Sequence, residues 1–231
     1  TVLKARQPQS ATQAPFTPCP IEEVVAAIKS SKPAVVFAPH VETSAGMLLP
    51  DGYIRAMADA VHEVGGLLVI DCIASGTLWL DMKQLGIDVL ISAPQKGWSA
   101  SPCCGLVMLS NRALERARTT TSTSFACDLG KWLQIMEAYE KGGHAYHATL
   151  PTDALTRLCS VMKETQAYGF AKVKAEQELS EFRRDLHGRI DQVTAVIGRR
   201  VAVIVQAVAE LRRPGVDRRI GVVAVEAQTV A

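Results

Sequence analysis

Two short, uninterrupted apolar runs, Leu67–Ile70 and Val89–Ile91, constrain this chain more than anything else in it. A strand with one wet face alternates apolar and polar residues. A run that is apolar throughout is covered on both faces, as strands of a parallel sheet are. Both runs stop at polar chemistry. Asp71 follows the first, and Ser92, Gln95 and Lys96 follow the second. In an open α/β sheet ligands collect beyond the carboxyl ends of the strands, so an acid and an amine are brought to one edge.

The flanking segments repeat the same alternation. Pro20 suits the start of a helix carrying Ile21, Val24, Val25 and Ile28 on one face, and Pro33 closes it. Ala34–Ala38 reads as another buried strand. Gly52–Val64 reads as a helix with Ile54, Met57 and Val61 inward, stopped by Gly65 and Gly66. The order helix, strand, helix, strand with short links predicts a mostly parallel α/β sheet with helices on both faces. Asp81–Leu85 allows a turn or two of helix. Cys104–Leu109 reads as a strand, and Asn111–Ala117, Asp128–Tyr139 and Thr152–Glu164 read as helices, the last continuing through Val173 and Leu179. The stripe Leu129, Trp132, Leu133 and Met136 is either core or a subunit contact. Trp79, Leu80 and Trp98 read as packing residues, His62 as a solvated side chain and His147 as a loop hydrogen-bonder.

Taken alone, an Asp after a strand is a cap and a Lys in a loop is solvated. Brought to neighbouring strand ends, the pair suits pyridoxal 5'-phosphate, whose aldehyde condenses with a lysine and whose ring nitrogen is held protonated by a carboxylate. Four segments bear on that choice: His40-Val-Glu-Thr-Ser-Ala-Gly46, Asp71-Cys-Ile-Ala-Ser-Gly76, Ser92-Ala-Pro-Gln-Lys-Gly97 and Tyr146-His-Ala-Thr149. In this order and spacing they resemble the class V pyridoxal-phosphate-dependent aminotransferases, nearest to the alanine–glyoxylate and serine–glyoxylate (serine–pyruvate) group. The resemblance runs over roughly residues 20 to 180.

That resemblance implies the large-domain fold of the fold-type I transferases, a three-layer, mostly parallel sheet. It assigns Lys96 the catalytic role, through a Schiff base to the cofactor. Thr43 then bonds the phenolic oxygen, Asp71 holds the ring nitrogen, Gln95 lies near the phosphate, and Ile73 lies against the ring face or simply packs in the core. Tyr146 and Thr149 reach the phosphate of a partner subunit's cofactor, which implies a homodimer. The implied reaction moves the amino group of a small amino acid, of alanine or serine type, to a 2-oxo acid such as glyoxylate or pyruvate. Two other readings stay open: a catalytically inactive portion that keeps cofactor-binding or pairing surface, and a related lyase such as a cysteine desulfurase.

Three features of the family have no match here. They are an upstream phosphate-binding loop, a ring-stacking aromatic and a C-terminal arginine that grips the substrate carboxylate. The chain reads as the central piece of such an enzyme. Residues 1–20 form a loop or cut edge, 21–165 the cofactor-binding large domain in part, 166–190 a helix leading toward the small domain, and 191–231 a divergent tail. In that tail lysine gives way to arginine and valine, through either an altered reading frame or a real extension. A formal net charge of +2 implies no strongly charged partner such as nucleic acid. Six cysteines without CxxC spacing read as buried thiols of a reducing compartment. No apolar run reaches membrane-span length and no secretion signal is evident, which makes the cytoplasm the default expectation.

Overall fold

A computed structural model describes residues 1–7 and 15–179, of which Thr1–Glu178 form one compact unit. The far end of the expected 166–190 helix and the whole 191–231 tail lie outside the described residues. Four strands make the main sheet: β1 (Val35–Pro39), β4 (Leu67–Asp71), β5 (Val89–Ser92) and β6 (Leu106–Leu109), in the order β1-β4-β5-β6. The first three run parallel. Val35 opposes Leu67, Pro39 opposes Asp71, and Asp71 opposes Ile91. β6 returns antiparallel, with Ser92 opposite Leu106. A separate two-stranded hairpin, β2 (Val41–Glu42) and β3 (Met47–Leu48), stands beyond β1.

The core lies between the sheet and two helices. α1 (Ile21–Ser31) starts at Pro20, carries Glu22 and Glu23 in its first turn where the helix dipole favours negative charge, and buries Val24 and Ile28. It ends at Lys32 in the left-handed region, with the Lys32 N–H on the Ile28 carbonyl. α2 (Asp51–Glu63) buries Ile54, Met57, Ala58, Ala60 and Val61 against β4, whose Leu68 and Ile70 are fully enclosed. Each such aliphatic side chain contributes about 1.5–3 kcal/mol. α3 (Met82–Leu85) is one turn capped by Asp81, which accepts from the Lys83 and Gln84 N–H groups, and Gly86 at φ 70 ends it.

The remaining helices are α4 (Asn111–Thr119), capped by Ser110, α5 (Leu129–Glu140), capped by Asp128, and α6 (Thr152–Tyr168). Gly169, at φ 105, breaks the long final helix that the sequence suggests, and helix resumes at 170–179. α5 buries none of its residues and leaves Met136 59% exposed, so its apolar stripe is not core among the described residues.

A buried polar knot ties the amino ends of the strands. Asp88 is 2% exposed and accepts from the Leu68 N–H at 2.8 Å and the Ser110 hydroxyl at 3.1 Å. The Oδ2 that accepts from Leu68 also lies 2.7 Å from His62 Nε2, so His62 is an anchor of α2 and not a solvated side chain. The cysteines also depart from expectation. Cys19 and Cys72 are buried, Cys103 and Cys104 half-buried, and Cys127 and Cys159 exposed. No helix among the described residues is long and apolar enough to cross a membrane.

Candidate active site

The carboxyl ends of β1, β4 and β5 meet at one edge of the sheet, and each feeds a loop carrying expected site residues. Asp71 is the last residue of β4 and is half-buried. Its Oδ1 accepts the Ile73 N–H at 2.8 Å, which orients the carboxylate and leaves the second oxygen for another donor. Ile73 is itself half-buried. Backbone bonds secure this strand end on both sides. The His40 N–H donates to the Asp71 carbonyl at 2.9 Å, and the Cys72 N–H donates to the Ile91 carbonyl at 2.8 Å.

Lys96 lies just past β5, in a turn closed by its own N–H on the Ala93 carbonyl and by the Ser99 N–H on the Lys96 carbonyl. Gln95 and Lys96 are both exposed. Among the described residues no carboxylate lies within ion-pairing distance of the Lys96 ammonium. An exposed amine without an ion-pair partner among the described residues, on the strand next to one that ends in an oriented carboxylate, is the kind of donor set that an aldehyde-bearing pyridine requires, so the residues present fit pyridoxal phosphate.

The two loops touch directly. A Cβ placed on Gly97 would sit 1.9 Å from the Gly76 carbonyl oxygen, closer than any side chain permits. Gly97→Ala must therefore part the Asp71 and Lys96 loops, at a cost of roughly 1–3 kcal/mol. We expect the melting temperature to fall by about 5 °C. Gly105→Ala is the control, because nothing lies within 4 Å of its added Cβ, and a calorimetric melt distinguishes the two.

Behind the loops, Trp79 and Trp98 pack with ring centroids 4.8 Å apart, and Phe170 stands edge-on to both. Both tryptophans are thus packing residues, as their sequence context suggests. The 170–179 helix also grips the Asp71 loop by polar contacts. Gln177 accepts from the Thr77 hydroxyl at 2.5 Å and from its N–H, while the Lys174 ammonium donates to the Trp79 carbonyl at 3.1 Å. Nothing in the sequence signals these contacts, which span about a hundred residues. His40 and Ser75 pair at 2.8 Å between the β1 and β4 loops, although both lie inside motifs already quoted. Burial pushes the Cys72 thiol up to about 11, so the cysteine beside Asp71 stays protonated and unreactive.

Thr43 projects from the tip of the β2–β3 hairpin and is exposed, with Glu42 accepting the Ser44 N–H and hydroxyl beside it. Tyr146 and Thr149 sit together on another loop, their hydroxyls 3.1 Å apart. Tyr146 is 79% exposed, and this loop is joined to the chain through His147, whose Nε2 meets the Phe125 carbonyl at 2.9 Å. That bond bears out the plain role expected of His147. A groove of about 790 Å³ runs along the outer edge of β1, past Val24, Ile28, Val35 and Phe37, and reaches the strand-end loops at His40 and Glu42.

An acid and an exposed amine thus follow adjoining parallel strands, on an α/β sheet that is mostly parallel with a final antiparallel strand. Comparison with known proteins supplies the family. The family model described as Aminotransferase class-V matches residues 14–209, and the chain belongs to that family. It is 31% identical over 176 residues to the alanine–glyoxylate aminotransferase of Felis catus, covering 74% of this chain and 40% of that protein. The alanine–glyoxylate aminotransferase of Oryctolagus cuniculus is 35% identical over 135 residues, covering 57% of this chain and 33% of that one. Among solved structures, the alanine–glyoxylate aminotransferase of Nostoc sp. superposes with a TM-score of 0.60 at 27% identity, covering 70% of this chain and 42% of the other. The chain thus spans about two-fifths of the length of the first of these relatives.

Proposed function

We propose that this chain is the central, cofactor-carrying portion of a pyridoxal-phosphate-dependent aminotransferase. Its substrates are a small amino acid of alanine or serine type and a 2-oxo acid such as glyoxylate or pyruvate. The observation that carries the reading is the meeting of the Asp71 and Lys96 loops at Gly76 and Gly97. The relatives named for alanine and glyoxylate support the substrate class.

When bound, the cofactor supplies an aldehyde that condenses with amines and a pyridine ring that accepts electrons. Lys96 Nζ is the amine that holds it. Once an incoming amino acid takes that place, Nζ is a free base beside the substrate Cα. It would accept the Cα proton and deliver it two atoms along, across the nitrogen, to the carbon that the aldehyde supplied. Asp71 stands by the ring nitrogen, where its negative charge raises that nitrogen's affinity for a proton. Thr43 holds the phenolic oxygen, Ile73 supports the ring face, and Gln95 lies near the phosphate. The Tyr146 and Thr149 hydroxyls, already paired with each other, turn to the phosphate held by a second copy of the chain. A homodimer follows from that arrangement.

A second reading, cofactor binding without turnover, draws on apolar side chains left open along β1, with Val35 53% and Phe37 58% exposed. One titration separates the two. Added pyridoxal 5'-phosphate should produce an absorption band near the visible edge that borohydride traps on Lys96. L-Alanine should then bleach the band and release pyruvate. A trapped band without pyruvate leaves only the second reading, and no band at all overturns both.

A further inference from the structure

Among the described residues four polar ones are buried to the level of the core: His40 and Ser75 at 3% exposure, Asp88 at 2% and Ser92 at 8%. Asp88 is explained by the knot at the amino ends of the strands. The His40–Ser75 pair sits at the opposite end, among the loops of the candidate site. A buried imidazole and hydroxyl cost more to enclose than two apolar groups of similar size, so their retention calls for a specific task.

We propose that His40 is a positioning residue for Asp71. Through Ser75 it latches the Cys72–Ser75 turn, whose Ile73 N–H holds the Asp71 carboxylate. The chain of contacts is continuous. His40 Nδ1 lies 2.8 Å from Ser75 Oγ, the Ser75 N–H donates to the Cys72 carbonyl at 3.3 Å, and the Ile73 N–H within that turn donates to Asp71 Oδ1 at 2.8 Å. The backbone of the same histidine grips the other end of the segment, its N–H donating to the Asp71 carbonyl at 2.9 Å. One residue on β1's end therefore fixes both the start and the finish of the turn that aims the acid.

Burial lowers the His40 pKa, Asp51 opposes that shift and Lys174 adds to it, so the ring is neutral near pH 7. A neutral latch leaves the Asp71 charge uncancelled for a ring nitrogen. A site group whose orientation is set by a packed, hydrogen-bonded support loses function when the support loosens, even with the group itself intact.

The role rests on the cofactor reading above, and the test separates the two. His40→Ala, Ser75→Ala and the conservative His40→Asn are compared with Leu158→Ala, a variant at a buried residue of α6 that takes no part in the hydrogen-bond chain above. The first readout needs no cofactor: amide hydrogen exchange at Ile73. His40→Ala and Ser75→Ala should each speed that exchange about tenfold beyond Leu158→Ala at matched global stability, and His40→Asn should restore most of the protection. The second is the dissociation constant for pyridoxal 5'-phosphate, expected to rise about tenfold in the two latch variants and to stay at the wild-type value in Leu158→Ala. Ile73 exchange indistinguishable from that of Leu158→Ala overturns the latch. So does a harmless Ser75→Ala beside a damaging His40→Ala. If the unaltered chain gives no lysine-dependent band, the cofactor reading falls while the exchange measurement still decides the latch.

Discussion

Lys96→Ala is expected to abolish the borohydride-trappable band and to lower kcat/KM for amino-group transfer by about 10²–10⁴-fold, the scale of a lost proton-transferring base. The loss is larger than for any other single side chain because one amine does two jobs, holding the cofactor and moving the substrate proton. Lys96→Arg should not rescue it, since guanidinium keeps its proton and is a poor nucleophile. The substitution should leave the fold intact, because the side chain is exposed and has no ion-pair partner among the described residues. Spectral titration, reductive trapping, steady-state rates and circular dichroism of the same samples check these four statements. A Lys96→Ala chain that retains the band would place the reactive amine elsewhere and end the proposed mechanism.

Asp88→Ala should give the largest loss of stability. Its carboxylate joins the Leu68 N–H, the Ser110 hydroxyl and His62, which belong to β4, the β6–α4 junction and α2. Removing it strands a buried backbone donor and a histidine at once. Breaking a buried polar pair from one side costs about 3–5 kcal/mol, or about 10 °C of melting temperature in a chain of this size. Asp88→Asn keeps one acceptor and should lose less. Since the knot lies at the end of the strands away from Lys96, cofactor affinity of the folded fraction should be unchanged. Thermal melts paired with cofactor titration test both parts, and an unshifted melt would show that the knot is dispensable.

The parallel heart of the fold was legible because no residue of β4 or β5 is fully exposed, which leaves an uninterrupted apolar signature in the chain itself. Helices α1 and α2 were legible for a related reason, since Val24 and Ile28, and Ile54, Met57 and Val61, recur with the helical period. Strand direction carries no such mark, so the antiparallel return of β6 could not be read from Leu106–Leu109. The β2–β3 hairpin was equally hidden, because two-residue strands are too short to show any period. His62 was misjudged for want of its partner, Asp88, which lies 26 residues away and meets it only through the α2–β4 packing.

The candidate site divides along the same line. Local order alone supplied an acid after one buried strand, an amine after the next, and the four short motifs that mark the family, since each is a property of neighbouring residues. Folding decided that the two loops touch at Gly76 and Gly97, that His40 closes on Ser75, and that Gln177 and Lys174 reach back to the Asp71 loop. Those contacts join residues separated by tens to about a hundred positions. They exist only because hydrogen bonding between parallel strands aligns the carboxyl ends, and no stretch of the chain records that alignment by itself.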